Sequence, residues 1–317
     1  MSRPQIAVFL QTEEKSFSVR EEQILKLRKS FISYDVVNCP TEAEFIQHLH
    51  NAAYAVTWFF KKEWYAVAPF LQTVFTPAAG KEWIEPDPSG RISVIFGRFH
   101  GKIMRESLLS MILYFNRKVG TAIQNQSDRK WDRDAFFNTH SLTRQTAVII
   151  GYGNIGRECA KVLKALGCSV TGVKRDLTKG AGDGIADKVI VFADILPALR
   201  DADHVILTLP GGRETDGIFS RAHLEAMKKT AYLYNMGRGN CVYEDDMVWA
   251  MMHSKIAGFW LDVFDKEPLP LSSKLWRLPN VILTPHASAI NSEYFDLYFD
   301  ELIQIVNYLD SKRGGTA

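Results

Sequence analysis

The stretch Val148–Glu158, VIIGYGNIGRE, sets three glycines in a GxGxxG spacing directly behind a short apolar run. Read physically, Gly151 permits a tight strand-to-helix turn. Gly153 lets the backbone approach a pyrophosphate, and Gly156 lets the helix lie close on the strand. Helix amides from Asn154 and Ile155 onward would then face the phosphates. The same spacing suits a glycine-rich turn that binds nothing, so the residues that follow decide. From Thr146 the chain alternates regularly. TAVIIG, CSVTGV, KVIVF, HVILTLP, AYLYNM, AGFWLDVF and NVILTPH read as strands; NIGRECAKVLKALG, DILPALRDA, RAHLEAMKKT and EDDMVWAMMHSK read as helices between most of them. Such a series of strands and helices predicts a doubly wound parallel sheet.

A dinucleotide site of the NAD type places an acid about 20 residues beyond the glycines, on the ribose 2′-hydroxyl. Here the second strand ends in Lys174 and Arg175, with Asp176 one residue further. Two cations at that point suit the 2′-phosphate of NADP through charge-assisted contacts. A solvated charged turn is the competing reading, and Asp176 could still reach a ribose. NADP(H) is therefore the preferred cofactor and NAD(H) a possible one.

The rest of the chain sets the frame. A length of 317 residues suits two domains. Residues 4–100 pass through QIAVFL, EEQILKLRKSF, YDVVN, EAEFIQHLHNA and YAVTWFF, a strand–helix–strand rhythm that predicts a parallel α/β layer. Aromatic residues from Trp58 to Tyr65 suit either a core or a pocket wall. GKIMRESLLSMILYFNRKV, residues 101–119, keeps helical apolar spacing and could cross between domains. The polar QNQSDRKWDRD reads as an arm or loop, and the tail from Asn291 to Lys312 as an amphipathic helix returning to the first domain. A net charge of +2 gives no nucleic-acid footprint. The four cysteines lack metal spacing, so no metal is expected. No run approaches the ~18 apolar residues of a membrane span. The expectation is a cytoplasmic protein with no nucleic-acid or membrane partner.

Three later segments follow strand ends, where ligands of open α/β sheets bind. NMGRGN carries Arg238, LDVFDKEPLP carries Asp262 and Glu267, and LTPHASA carries His286. Singly, each is an ordinary loop charge, surface acid or structural imidazole. Together with GYGNIG, ILPALRDADHVILTLPGGRETDGIF, NMGRGNCV, AGFWLDVFDKEPLP and VILTPH, they resemble the D-isomer-specific 2-hydroxyacid dehydrogenase family across roughly residues 146–290. In the first half, TPAAGKEWI resembles the family's substrate loop and HGKIMRESLLSMILYFNRK its interdomain helix.

The resemblance implies two Rossmann-like α/β domains: a dinucleotide-binding domain at 102–287, and a smaller flavodoxin-like substrate domain from 1–101 plus 288–317. It implies reversible NAD(P)H-dependent reduction of a small 2-oxo acid to the D-2-hydroxy acid, and a homodimer. Arg238, Glu267 and His286 correspond to the family's catalytic Arg, Glu and His. Arg238 offers a planar, permanently charged fork to a carboxylate or carbonyl. His286 can protonate the carbonyl oxygen, with Glu267 orienting the imidazole. Leu209, Pro210, Met236 and Asp262 match cofactor-contacting positions, Asp262 beside the nicotinamide carboxamide; a strand-end cap is the competing reading for Asp262. Ala79 and Gly80 match the loop whose amides bind the substrate carboxylate, alongside Arg238 and His286; a plain turn is the alternative there. Two departures stand out. LPGGRET replaces a frequent Pro-Leu-Thr run and leaves Arg213 as an unplaced charge, and Ser107 follows Glu106 where many members carry Glu-His. Two rivals remain open: a non-catalytic NAD(P)-sensing interaction protein on the same fold, and an enzyme of another adenosine cofactor such as a methyltransferase.

Overall fold

The computed structural model describes residues 3–178 and 182–314. The outermost residues of the expected first domain, 1–2 and 315–317, lie outside that range. The chain divides into two compact units, Met1–His100 with Ile290–Ala317, and Gly101–Ala289.

In unit 1, β1 (Gln5–Phe9), α1 (Glu21–Ser30), β2 (Asp35–Asn38), α2 (Glu42–Leu49), β3 (Ala52–Thr57), β4 (Thr73–Thr76) and β5 (Ser93–Phe96) follow in order. The sheet runs β2-β1-β3-β4-β5 with every pairing parallel, the flavodoxin-like strand order. All six residues of β3 are buried, which is why AAYAVT reads as a continuous run rather than an alternation. Local signals fix the helices. Thr41 Oγ1 accepts from the Glu44 amide at 3.2 Å to start α2. Acids Glu21 and Glu22 open α1 while Arg28 and Lys29 close it, matching the helix dipole.

The sequence marks three strands here and the structure has five. β4 and β5 are four residues each, and no amphipathic helix announces them: a 3-10 turn, Lys62–Val67, precedes β4. Beyond Thr57 the aromatic run leaves the sheet. Phe60, Trp64 and Tyr65 are buried in the unit 1 core, so these three are core rather than pocket wall.

Unit 2 opens, from Gly101, within α3 (His100–Asn116), and α4 (Val119–Ser127) follows. The polar QNQS is therefore helical, separated from α3 by Lys118 in the left-handed region (φ 51°). Then come β6 (Thr146–Ile150), α5 (Asn154–Ala165), β7 (Ser169–Lys174), β8 (Lys188–Val191), α6 (Ile195–Asp201), β9 (His204–Leu207), α7 (Arg221–Ala226), β10 (Tyr232–Asn235), α8 (Glu244–Met252), β11 (Gly258–Leu261) and β12 (Val281–Leu283). These seven strands form one parallel sheet in the order β12-β11-β10-β9-β6-β7-β8.

The pleat sends alternate residues to two cores. Val148, Ile150, Val205, Leu207 and Leu233 face one layer with α6, α7 and α8 residues such as Leu199, Leu224 and Met247. Ala147, Ile149, Val170, Ile206 and Trp260 face the other, with Leu108 of α3 and Leu163 of α5. Both faces are thus covered, as a wholly parallel sheet requires. β6 is flanked by β9 on one side and β7 on the other, which makes the C-terminal end of β6 the topological switch point.

The last helix, α9 (Tyr294–Gly314), belongs to unit 1 and packs on α1. Phe295, Phe299, Leu302 and Val306 are its buried face. Polar stitches reinforce it: Lys26 Nζ to Asp300 at 2.7 Å, Gln23 Nε2 to Asp296 at 2.9 Å, and Tyr34 OH to Asp310 at 2.7 Å.

Candidate functional site

Because the seven strands are parallel, their C-terminal ends share one edge, and the loops there carry the candidate residues of unit 2. At the switch point the three glycines do three different things. Gly151 adopts φ +95°, and a Cβ on it would stand 2.7 Å from the Thr208 carbonyl oxygen. A Cβ on Gly156 would meet the Gly151 carbonyl at 2.8 Å and Ile149 Cγ2 at 3.0 Å. The fold itself requires these two. Gly153 differs, for its nearest neighbour would be the Gly151 carbonyl at 3.8 Å. Space is left over Gly153 that packing does not use. Gly153 is also the N-cap of α5 and supplies no side-chain cap, and the amides of Ile155 and Gly156 have no acceptor among the described residues. Unused space and unused donors at the start of a 12-residue helix fit a dinucleotide's pyrophosphate.

Beside it, Tyr152 is buried with its ring over Gly172, where a Cβ would come within 2.5 Å of the ring. Its hydroxyl donates to Asp183 at 3.1 Å and accepts from the Ala186 amide at 3.1 Å; burial and Asp183 push its pKa up to about 12. Lys174 lies with Nζ 5.9 Å from the centre of the Tyr152 ring. Arg175 is exposed and ion-paired with Glu214. Asp176 accepts from the Thr178 amide at 2.8 Å and its hydroxyl at 2.6 Å, a local turn.

After β9, Leu209 is half-buried against the core and Pro210 is exposed. Gly211 lies against the stem of Arg238: a Cβ there would be 3.3 Å from Arg238 Cγ. The departure LPGGRET therefore removes a side chain next to the candidate arginine, and the arginine fills part of that space. Arg213 is exposed.

After β10, Met236 is buried in the core and its amide donates to Leu207 O at 3.1 Å. The buried Asn235 shapes the next turn, accepting from the Gly237 amide at 3.2 Å and donating to the Arg238 carbonyl at 3.1 Å. Gly237 and Gly239 are packed so closely on Leu209 and Phe264 that no side chain would fit. Arg238 is half-buried, and its Nη1 donates to the Gly237 carbonyl at 2.9 Å.

His286 and Glu267 meet: imidazole Nδ1 lies 2.9 Å from Glu267 Oε2. The other carboxylate oxygen accepts from the Phe264 amide at 2.9 Å, which fixes the acid's orientation. A carboxylate can only accept, so Nδ1 carries the hydrogen of this bond and Nε2 is the nitrogen left to exchange a proton. Histidine 286 sits at φ +51°, a left-handed conformation uncommon outside glycine. Asp262 explains how it is held. Fully buried, its carboxylate accepts from Thr284 Oγ1 at 2.5 Å, the Ala287 amide at 2.8 Å and the Ser288 amide at 2.9 Å, while its carbonyl accepts from the His286 amide at 2.8 Å. Ser107 of α3 adds a bond from its hydroxyl to the Ser288 carbonyl at 2.9 Å.

In unit 1, Ala79 and Gly80 lie in the loop after β4, and their amides have no acceptor among the described residues. No group of His, Cys, Asp and Glu residues there could hold a metal among the described residues. No described helix is long and apolar enough to cross a membrane. All four cysteines are buried, which pushes the thiols of Cys39 and Cys241 up to about 11 and those of Cys159 and Cys168 up to about 12. None offers a thiolate nucleophile at neutral pH.

Sequence reasoning named the glycines, Arg175, Arg238, Glu267 and His286. It passed over Asn235, Glu214 and the actual partner of Ser107, because each depends on a contact with another loop or on a turn that spacing does not encode.

Comparison with known proteins points one way. The family profile described as D-isomer specific 2-hydroxyacid dehydrogenase, NAD binding domain, matches residues 109–288. The chain is 30% identical over 249 residues to glyoxylate/hydroxypyruvate reductase A of Escherichia fergusonii, covering 75% of this chain and 77% of that one. Against D-3-phosphoglycerate dehydrogenases it spans only about a third of the relative's length. Among solved structures, a D-isomer specific 2-hydroxyacid dehydrogenase family protein from Aeromonas salmonicida superposes with a TM-score of 0.78 at 26% identity, covering 98% of this chain and 97% of that one. An NADPH-dependent glyoxylate/hydroxypyruvate reductase from Sinorhizobium meliloti, solved with NADP and sulfate, shares the fold with a TM-score of 0.74 at 24% identity, covering 97% and 96%.

Proposed function

The chain belongs to the D-isomer specific 2-hydroxyacid dehydrogenase family, and from that premise we propose that it reduces a small 2-oxo acid to the D-2-hydroxy acid, reversibly, with NADPH preferred to NADH. The observation that carries the reading is the His286–Glu267 pair at 2.9 Å, on the same sheet edge as Arg238 and the glycine loop. A sensor of bound nucleotide needs no such proton-transfer pair.

The cofactor, when bound, supplies the hydride to the carbonyl carbon. The protein supplies the rest. Gly151, Gly153, Asn154, Ile155 and Gly156 cradle the pyrophosphate, with the amides of Ile155 and Gly156 as donors. Arg238, its backbone fixed by Asn235, clamps the 2-oxo acid through its carboxylate or carbonyl oxygen. His286 gives the Nε2 proton to the carbonyl oxygen as it becomes a hydroxyl; in the reverse direction it takes that proton back. Glu267 keeps the imidazole aligned through Nδ1. Asp262 acts on the loop that carries His286, because its carboxylate already has three donors from this loop. In unit 1 the amides of Ala79 and Gly80 offer donors to a substrate carboxylate, which makes 1–101 plus 288–317 the substrate domain. Lys174 and Arg175 favour the 2′-phosphate, and the relative solved with NADP is consistent with that choice. The working molecule is a homodimer in the cytoplasm.

The test follows nicotinamide absorbance with glyoxylate, hydroxypyruvate and longer 2-oxo acids, using NADPH and NADH in parallel. Oxidation with at least one acid, faster with NADPH, is expected. Tight dinucleotide binding without turnover on any of them would turn the reading into that of a sensor.

A further inference from the structure

Resting on the cofactor reading above, we propose that Glu214 supplies the acceptor missing from the end of β7, and that Glu214 and Arg175 form one composite ribose-edge site. The two residues lie 39 positions apart in the chain and on different loops, yet Arg175 Nη1 is paired with Glu214 Oε2. Both side chains are largely exposed, 82% and 77%, so the pair is reachable from solvent and adds little to stability.

The loop that brings Glu214 there has a defined backbone course. Gly211 and Gly212 precede the 3-10 turn Arg213–Thr215, with Gly212 at φ +132°, a backbone that side-chain-bearing residues rarely adopt. Thr215 Oγ1 lies 2.9 Å from both the Pro210 and Gly212 carbonyls, sharing its single proton between these acceptors within the turn. β7 and β9, which lead into the two loops, both border β6, the strand that ends in the glycine loop. Asp176, the acid nearest in sequence to the usual position, is engaged by Thr178.

The chemistry of the pair allows two ligands. A 2′-phosphate competes with the Glu214 carboxylate for the guanidinium donors and displaces it. A 2′-hydroxyl instead donates to Glu214, with Arg175 holding that carboxylate in place. Glu214 therefore sets how strongly the chain prefers one nicotinamide cofactor to the other: its charge opposes NADPH and favours NADH.

Equilibrium dissociation constants of NADPH and NADH, together with the fragments 2′-AMP and 5′-AMP, test this without any turnover. The set is the full chain, Glu214→Gln, Arg175→Ala and the double variant, at fixed ionic strength. Glu214→Gln is expected to raise the NADPH-to-NADH affinity ratio about two- to fivefold, the range of an exposed charge pair. The 2′-AMP to 5′-AMP ratio should follow it. Arg175→Ala should lower both ratios, and in that background Glu214→Gln should change them by a different factor, because the two side chains act as one site. An unchanged or lowered ratio in Glu214→Gln, or the same rise in both backgrounds, overturns the proposal while leaving the enzyme reading intact. A full chain that binds neither dinucleotide overturns that reading and this one together.

Discussion

At the scale of residues, His286, the proposed proton donor, shows how backbone and buried carboxylate contacts can place an imidazole. Its left-handed backbone costs on the order of 1–2 kcal/mol, and the buried Asp262 carboxylate with its three donors holds it there. His286→Ala should lower kcat at least about a hundredfold and leave the NADPH dissociation constant within about twofold, measured by fluorescence titration; near-normal turnover would remove His286 from the mechanism. A second histidine behaves oppositely. His204 is buried between Tyr234 OH at 3.0 Å and Gln145 Oε1 at 3.1 Å, and burial pushes its pKa down to about 4. The unfolded value is higher, about 6.5, so between the two the unfolded chain binds more protons. The stability His204 allows is present in full above the unfolded value and drains as pH falls toward the folded one. Urea titrations should lose about 2 kcal/mol from this group on going from about pH 7.5 to 5. His204→Gln should flatten that slope, and an identical slope in the variant would assign it to other groups.

At the scale of elements, the β6–α5 turn separates what the fold needs from what a ligand needs. Gly153→Ala meets nothing closer than 3.8 Å, so thermal stability should change by less than about 1 kcal/mol while dinucleotide affinity falls at least tenfold. Gly156→Ala runs into the Gly151 carbonyl at 2.8 Å and should cost stability first, by about 1–3 kcal/mol. Equal stability losses in the two variants would contradict this division. The same contrast explains what sequence could convey. The strands of unit 2 are legible because helices or turns separate apolar runs such as HVIL and GFWL. β4 and β5 are not, since a four-residue strand such as SVIF is too short to show a period and no α-helix separates it from β4. α4 escaped because helix there is polar, and its separation from α3 lies in the dihedral angles of Lys118. Arg238, Glu267 and His286 stood out in the sequence only through the combined motifs that resemble the family; the Arg175–Glu214 pairing did not, because only the sheet order brings those loops together.

At the scale of the whole molecule, Trp131 and Phe137 are 92% and 87% exposed just beyond α4, where Ile123 is also exposed. Apolar rings so placed suit a second copy of the chain. Sedimentation velocity should give a dimer, and Trp131→Ser with Phe137→Ser should shift it toward monomer without loss of helix by circular dichroism; a monomeric full chain would dismiss the assembly. The course of the chain carries a further consequence for biosynthesis. Unit 1 is written in two pieces, with all of Gly101–Ala289 inserted between them. On the ribosome, β1 to β5 emerge before α9, whose Phe299 and Leu302 are buried in the folded unit and which packs on α1. Domains generally fold as units while synthesis proceeds at about 5–20 residues per second. The later-made unit can thus be complete before the earlier-made one receives its last helix.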